Sequence, residues 1–126
     1  NNKNEYSSWA RTNIKVRIIS KTLYNGKYYK KKGIITKIIS AKLVNILLDN
    51  TNELLKDIDI LKLETVLPKI GGLVKVVSSK KYPNLINSIC KLISKESKQN
   101  KAVIQYDDKK PLYTVKMDDI AAYIEK

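Results

Sequence analysis

Histidine is absent from this chain of 126 residues, and cysteine occurs once, as Cys90. A zinc site of the usual kind draws its ligands from several Cys and His side chains, so none can be assembled here. A single thiol cannot close an internal disulfide, which fits a reducing compartment. A cysteine nucleophile wants a histidine base, and none exists. Cys90, set in the apolar segment Ile89-Cys90-Lys91-Leu92-Ile93, therefore reads as a passive strand residue. Phenylalanine is missing too, and arginine is limited to Arg11 and Arg17. No apolar run approaches the roughly 20 residues of a membrane-spanning helix, so no membrane partner is expected. With Asn1 where a methionine would stand, the chain is expected to be a piece of a longer protein.

What is present is lysine. Twenty-five basic residues face 12 acidic ones, for a net charge of +13, which predicts attraction to polyanions. Part of that lysine, with the abundant Asn, Ile and Tyr, is what an A- and T-rich coding bias would produce, although such a bias does not remove Phe. At 43% hydrophobic residues there is enough apolar material for one ordinary domain or two very small ones.

The densest charge lies in Gly26-Lys27-Tyr28-Tyr29-Lys30-Lys31-Lys32-Gly33, which places four lysines and two tyrosines between two of the chain's four glycines. Glycine accepts positive φ without a Cβ clash, so this loop is expected to turn tightly on its glycines and bring its backbone near a phosphate. Lysines supply phosphate contacts and tyrosines supply faces for unpaired bases. A plain solvated loop is the competing reading.

Hydrophobic periodicity predicts an all-β chain in two similar halves. Residues 1–8 read as a flexible lead, and Trp9 reads as a core plug at one end of the first β unit. Ile14, Val16 and Ile18 alternate with Lys15 and Arg17, the period of a strand with a basic outer face. A long loop from Ser20 leads to a second strand opened by Gly33 and a third within 41–49. Asp49-Asn50-Thr51-Asn52 is turn chemistry. Residues 54–58 read as a fourth strand, 59–62 as one helical turn and 63–67 as a fifth strand, although a helix over 53–66 also fits the spacing of Leu54, Leu55, Ile58 and Leu61. After Pro68 the pattern restarts: a strand at Leu73 to Val77, a loop carrying Lys80, Lys81 and Tyr82, strands at 89–93, 102–106 and 112–117, a turn at Asp118-Asp119 and a closing strand from Ile120. The halves carry +7 and +6.

Trp9, Ile14-Lys15-Val16-Arg17-Ile18-Ile19-Ser20-Lys21, Lys27-Tyr28-Tyr29-Lys30-Lys31-Lys32-Gly33 and Leu63-Glu64-Thr65-Val66-Leu67-Pro68 resemble the C-terminal region of the eukaryotic DNA/RNA-binding protein Kin family. The resemblance implies two SH3-like β-barrels in tandem, packed against each other, at 9–68 and 69–126, the second containing a KOW motif. It implies a nuclear, non-enzymatic RNA-binding module linked to RNA processing or to DNA repair and replication, with the family's zinc finger upstream. The second half departs from the pattern: Ser78 to Ile89 contains no glycine, and Asn87 stands where the motif expects one. Asn is the next-best residue for a left-handed conformation, so the loop geometry can survive. Thr12 likewise replaces a family proline.

The expected interface comprises Arg17, Lys21, Lys27, Tyr28, Tyr29, Lys30, Lys31 and Lys32 of the first half and Lys80, Lys81 and Lys116 of the second, walling a basic cleft between the barrels. One of Tyr28 and Tyr29 stacks on a base while the other packs inward. The expected partners are RNA, then single-stranded or duplex DNA, then nuclear proteins; the chain is expected to be monomeric and to use no cofactor. The alternative reading is a protein-interaction module in which Tyr24, Tyr28, Tyr29 and Tyr82 grip a Pro-rich or methyl-lysine peptide. An enzyme would have to rest on the acidic pairs Asp107-Asp108 and Asp118-Asp119, which read as turn residues.

Overall fold

The computed structural model describes residues 8–106 and 111–125. The chain forms two compact units, divided between Val66 and Leu67. Each is built on one five-stranded antiparallel sheet, and no α-helix occurs among the described residues.

The first unit contains β1 (Lys15–Ile18), β2 (Lys32–Ile38), β3 (Leu43–Leu48), β4 (Leu54–Asp59) and β5 (Leu63–Thr65), in the spatial order β4-β3-β2-β1-β5. The alternation expected of the opening segment is present: Ile14, Val16 and Ile18 are buried while Lys15 and Arg17 face outward. Between the two readings of residues 53–66, strand pairing decides. Leu54 lies opposite Leu47, Leu55 opposite Ile46 and Ile58 opposite Val44, so burying Leu55 and Ile58 in the sheet outweighs local helical spacing. Only Ile60–Lys62 turns helically, and the Asp59 carboxylate caps it by accepting the Leu61 N–H at 2.9 Å. The core gathers Val16, Ile18, Ile35, Val44, Ile46 and Ile58, all at most 2% exposed. Trp9 is only half-buried and is not the sealed plug its position suggested. The buried residues at that end are Ala10 and Arg11, whose guanidinium donates to the Ser8 and Ala10 carbonyls at 2.7 and 2.9 Å. Of the expected lead at 1–8, residues 1–7 lie outside the described residues.

The second unit contains β6 (Leu73–Val76), β7 (Ile89–Glu96), β8 (Lys101–Tyr106), β9 (Leu112–Lys116) and β10 (Ile120–Ala122), ordered β10-β6-β7-β8-β9. That is the order of the first unit, strand for strand. The correspondence extends to register. Val16 pairs with Gly33 as Val74 pairs with Cys90, and a one-residue irregularity follows Ile35 on β2 as it follows Leu92 on β7. The core is Val74, Val76, Leu85, Cys90, Leu92, Ala102, Ile104, Val115 and Ile120, with Leu67, Tyr82, Tyr113 and Met117 packed against it. Cys90 is 1% exposed, and burial pushes its thiol up to about 11, an inert strand residue as its setting suggested.

Candidate functional site

The site grows from the long loop between β1 and β2. Ser20 Oγ accepts the N–H groups of Thr22 and Leu23 at 3.2 and 3.0 Å, starting the turn. Tyr24, Asn25 and Gly26 then run through positive φ at 49°, 58° and 80°. A Cβ on Gly26 would lie 2.7 Å from the Lys21 carbonyl oxygen, so this position requires glycine. Gly33 is a different case, and the expectation that the loop turns on both glycines is corrected. Gly33 lies at no positive φ; it is small because a Cβ there would meet Ile46 Cγ2 at 2.6 Å and the Leu47 carbonyl oxygen at 2.7 Å. The left-handed residue at the junction of loop and strand is Lys30, at φ 68°. Its N–H donates to the Ile18 carbonyl at 2.8 Å, and the Ile18 N–H returns to the Lys31 carbonyl at 2.9 Å.

That turn separates the two tyrosines. Tyr28 points inward, 7% exposed, and its hydroxyl donates to the Glu53 carboxylate. The hydrogen bond to Glu53, followed by burial, raises the Tyr28 phenol above its ordinary value. Tyr29 is half-buried and outward, with the ammonium groups of Lys21 and Lys30 at 5.4 and 5.5 Å from its ring centroid. Lys27 lies over the Tyr28 ring as well, at 5.3 Å, so it is exposure that separates the pair: Tyr28 is buried and Tyr29 only half-buried.

Lys27, Tyr28, Lys30, Lys31 and Lys32 line one wall of a cavity of 430 Å³; Asp49, Asn50, Thr51 and Glu53, from the turn between β3 and β4, line the other. Both carboxylates in that second wall are engaged. Asp49 pairs with Lys15 at 2.8 Å, and Glu53 accepts from Tyr28. Among the described residues none of the four loop lysines has a carboxylate within ion-pair distance, so their charge stays available to a ligand. Residues 49–52 read in sequence as a turn, and nothing in the sequence singles out Glu53. Their place opposite the loop follows from the β2–β3 pairing, in which the Asp49 N–H donates to the Lys32 carbonyl at 3.0 Å.

The remaining expected residues distribute differently. Arg17 is bound to Glu64, its cross-strand partner on β5, at 2.6 Å, so its charge is partly satisfied within the sheet. Lys21 lies beside Tyr29. Lys80, Lys81 and Lys116 belong to a separate cavity of 380 Å³ in the second unit, together with Lys101, which the sequence reading did not single out. Asn87 adopts φ 76° and donates its N–H to the Val76 carbonyl at 2.7 Å, so the left-handed turn that the motif's missing glycine would make is formed by asparagine.

The tyrosines of the peptide-binding alternative are distributed over both units. Tyr24 is exposed and meets Tyr28 edge-on at 5.5 Å, while Tyr82 is edge-on to Tyr113 at 4.9 Å and packs on the second unit's core. Of the acidic pairs, Asp118 accepts from the Asn100 amide and Asp119 from the Ser78 hydroxyl. Asp107-Asp108 lies outside the described residues. No group of three or more potential metal ligands occurs among the described residues.

A family described as the GPKOW C-terminal domain matches residues 14–125. The chain is 36% identical over 117 residues to Protein MOS2 of Arabidopsis thaliana, covering 93% of this chain and 24% of that protein. It is 42% identical over 76 residues to a KIN17-like protein of Dictyostelium discoideum, covering 60% of this chain and 17% of the relative. To the G-patch domain and KOW motifs-containing protein of Xenopus laevis it is 30% identical over 101 residues, covering 80% of this chain and 20% of the relative. The chain thus spans a quarter or less of the length of these relatives. Because the match runs from the residue before β1 to beyond β10, taking in both units, the chain belongs to the GPKOW C-terminal domain family.

Proposed function

We propose that the chain is a non-enzymatic nucleic-acid-binding module of a nuclear protein, made of two SH3-like barrels, with single-stranded RNA as the preferred ligand of the first and single-stranded DNA a weaker one. The barrel reading is supported by the strand order, in which the short last strand of each unit lies beside its first. The RNA reading is carried by one observation: four lysines of one loop converge on a cavity whose only two carboxylates are already held by Lys15 and Tyr28. Phosphates meet lysine as a point charge, so affinity comes from the backbone and sequence preference is weak. Tyr29 offers the stacking face, and a base landing there displaces one of the two ammonium groups over the ring.

The backbone supports the same reading. A left-handed conformation costs a non-glycine residue roughly 1–2 kcal/mol, yet the loop holds Lys30 in it where asparagine or glycine would be less strained. Strain kept at a charged loop position is accounted for when the side chain has work to do there.

Labelled single-stranded RNA titrated at two salt concentrations tests the proposal. Replacing Lys30, Lys31 and Lys32 by Ala weakens binding for every sequence and lowers the salt slope by about 2, at about 0.7 per lost contact. Tyr29→Ala costs about 1–3 kcal/mol of binding with the slope nearly unchanged. If the triple variant keeps its fold by circular dichroism and its full RNA affinity, the loop is merely solvated and the proposal fails.

A further inference from the structure

The second cavity is not a copy of the first. In the first unit the lysines come from the end of the long loop, next to the turn between the third and fourth strands. In the second unit they come from the start of the corresponding loop, at Lys80 and Lys81, and from the paired ends of β8 and β9, at Lys101 and Lys116. Lys101 and Lys116 are direct cross-strand partners. Like charges in that position repel and destabilise the pairing. Glu96 lies opposite Lys101 on the other side, from β7, and no ion pair joins them among the described residues. The one carboxylate in the cavity wall, Asp119, accepts from the Ser78 hydroxyl. Ser79, Tyr82, Thr114 and the apolar Val115 complete the lining, with the Lys81 ammonium 5.3 Å from the Tyr82 ring centroid.

The cavity measures 380 Å³. That is near the small end of the roughly 300–1,000 Å³ typical of ligand pockets. An internal phosphodiester carries one charge and continues in both directions, which calls for an open groove. Here, unlike in the first cavity, the lysines come from three separate segments and two of them are direct cross-strand partners, an arrangement that closes on one point and suits a compact dianion. We infer that the hollow bounded by Lys80, Lys81, Lys101 and Lys116 receives the terminal phosphomonoester of a nucleic-acid strand. The inference rests on the nucleic-acid reading and adds to it a preference for strand ends.

The test uses the intact chain and one RNA tetranucleotide prepared with a 5′-phosphate, with a 3′-phosphate or with hydroxyls at both ends, alongside a phosphoserine peptide of equal charge. At pH 7.5 one of the phosphorylated forms binds on the order of tenfold tighter than the hydroxyl form, the pair of arms showing which end is received. Lys101→Gln with Lys116→Gln abolishes that difference and leaves the melting temperature unchanged or raised, since the repulsion is relieved. Lowering the pH from 7.5 to 5.5 erodes the preference as the phosphate, with its second pKa near about 6, becomes a monoanion. The charged groups around the hollow are the four lysines, Asp119 and Glu96; histidine is the side chain whose ordinary pKa lies near about 6, and the chain has none, so a transition there belongs to the ligand. Equal binding of all three RNAs, a preference that survives the double variant or the fall in pH, or tighter binding of the phosphopeptide than of any RNA each overturns the inference. RNA that binds without regard to its ends leaves the reading of the first unit standing, whereas failure of every RNA to bind overturns both.

Discussion

The two units share a strand order and a register, yet they differ at three matched positions around the first long loop. Lys30 and Asn87 occupy the same left-handed turn, each donating its N–H to the last carbonyl of the opening strand. Two residues earlier, Tyr28 and Leu85 both pack inward, but only Tyr28 carries a hydroxyl, which it gives to Glu53. At the start of the next strand, Gly33 and Cys90 face Val16 and Val74 in register. The comparison separates backbone from chemistry. One main-chain path is held by a lysine in one unit and in the other by an asparagine, which adopts it more readily, so the path belongs to the fold and does not depend on the lysine side chain.

Exchanging the matched residues tests this, beginning with the strand position. Gly33→Cys places a Cβ within 2.6–2.7 Å of Ile46 and of the Leu47 carbonyl. The backbone has to give, so urea unfolding is expected to show a loss of about 3 kcal/mol. Cys90→Gly in the second unit empties a site that is 1% exposed and is expected to cost about 2 kcal/mol. A Gly33→Cys chain as stable as the parent would show that the two sheets are equivalent at this position and that the space around residue 33 does not require glycine.

The turn exchange is smaller and has opposite signs. Lys30→Asn is expected to raise stability by about 1 kcal/mol while weakening RNA binding, and Asn87→Lys to lower stability by about the same amount. Lys30→Asn that stabilises the fold and leaves RNA affinity untouched would remove the argument that strain is retained for charge.

The smallest effects are confined to alkaline pH, where both units lose stability. The Cys90 thiol is raised to about 11 by burial, and the Tyr28 phenol is raised by its bond to Glu53 and by burial. Each fold favours the protonated group. Its contribution is therefore complete below the group's ordinary pKa, near 9 for the thiol and near 10 for the phenol, and is lost as pH rises through the folded value. Cys90→Ala should flatten the decline of melting temperature between about pH 9 and 11 and Tyr28→Phe the decline above about pH 10, although Tyr28→Phe also lowers the melting temperature at neutral pH through the lost hydrogen bond. At pH 8 a thiol reagent should modify Cys90 at the rate of local opening and not at that of a free thiol.

Much of this was legible in the chain itself, because it is written at short range. Alternation at Ile14, Val16 and Ile18 announces a strand with one wet face, Asp49 to Asn52 a turn, and Asp59 to Lys62 a single helical turn. The restart after Pro68 signals a repeat, whereas the left-handed turn at Asn87 was expected only from the resemblance to a family motif with glycine there. Charge is additive, so +13 needs no fold to be read. Tertiary structure decided what depends on distant pairs. Arg17 looked free until β5 brought Glu64 to it across 47 residues; Asp49 and Glu53, carried in by β3 and β4, are held by Lys15 and Tyr28, and among the described residues no loop lysine forms an ion pair. Which tyrosine turns inward depends on the left-handed turn at Lys30, and that turn closes on the Ile18 carbonyl. The physical reason is common to all three: in an antiparallel sheet, side-chain neighbours are assigned by the register of strands far apart in sequence, and no local pattern encodes that register residue by residue.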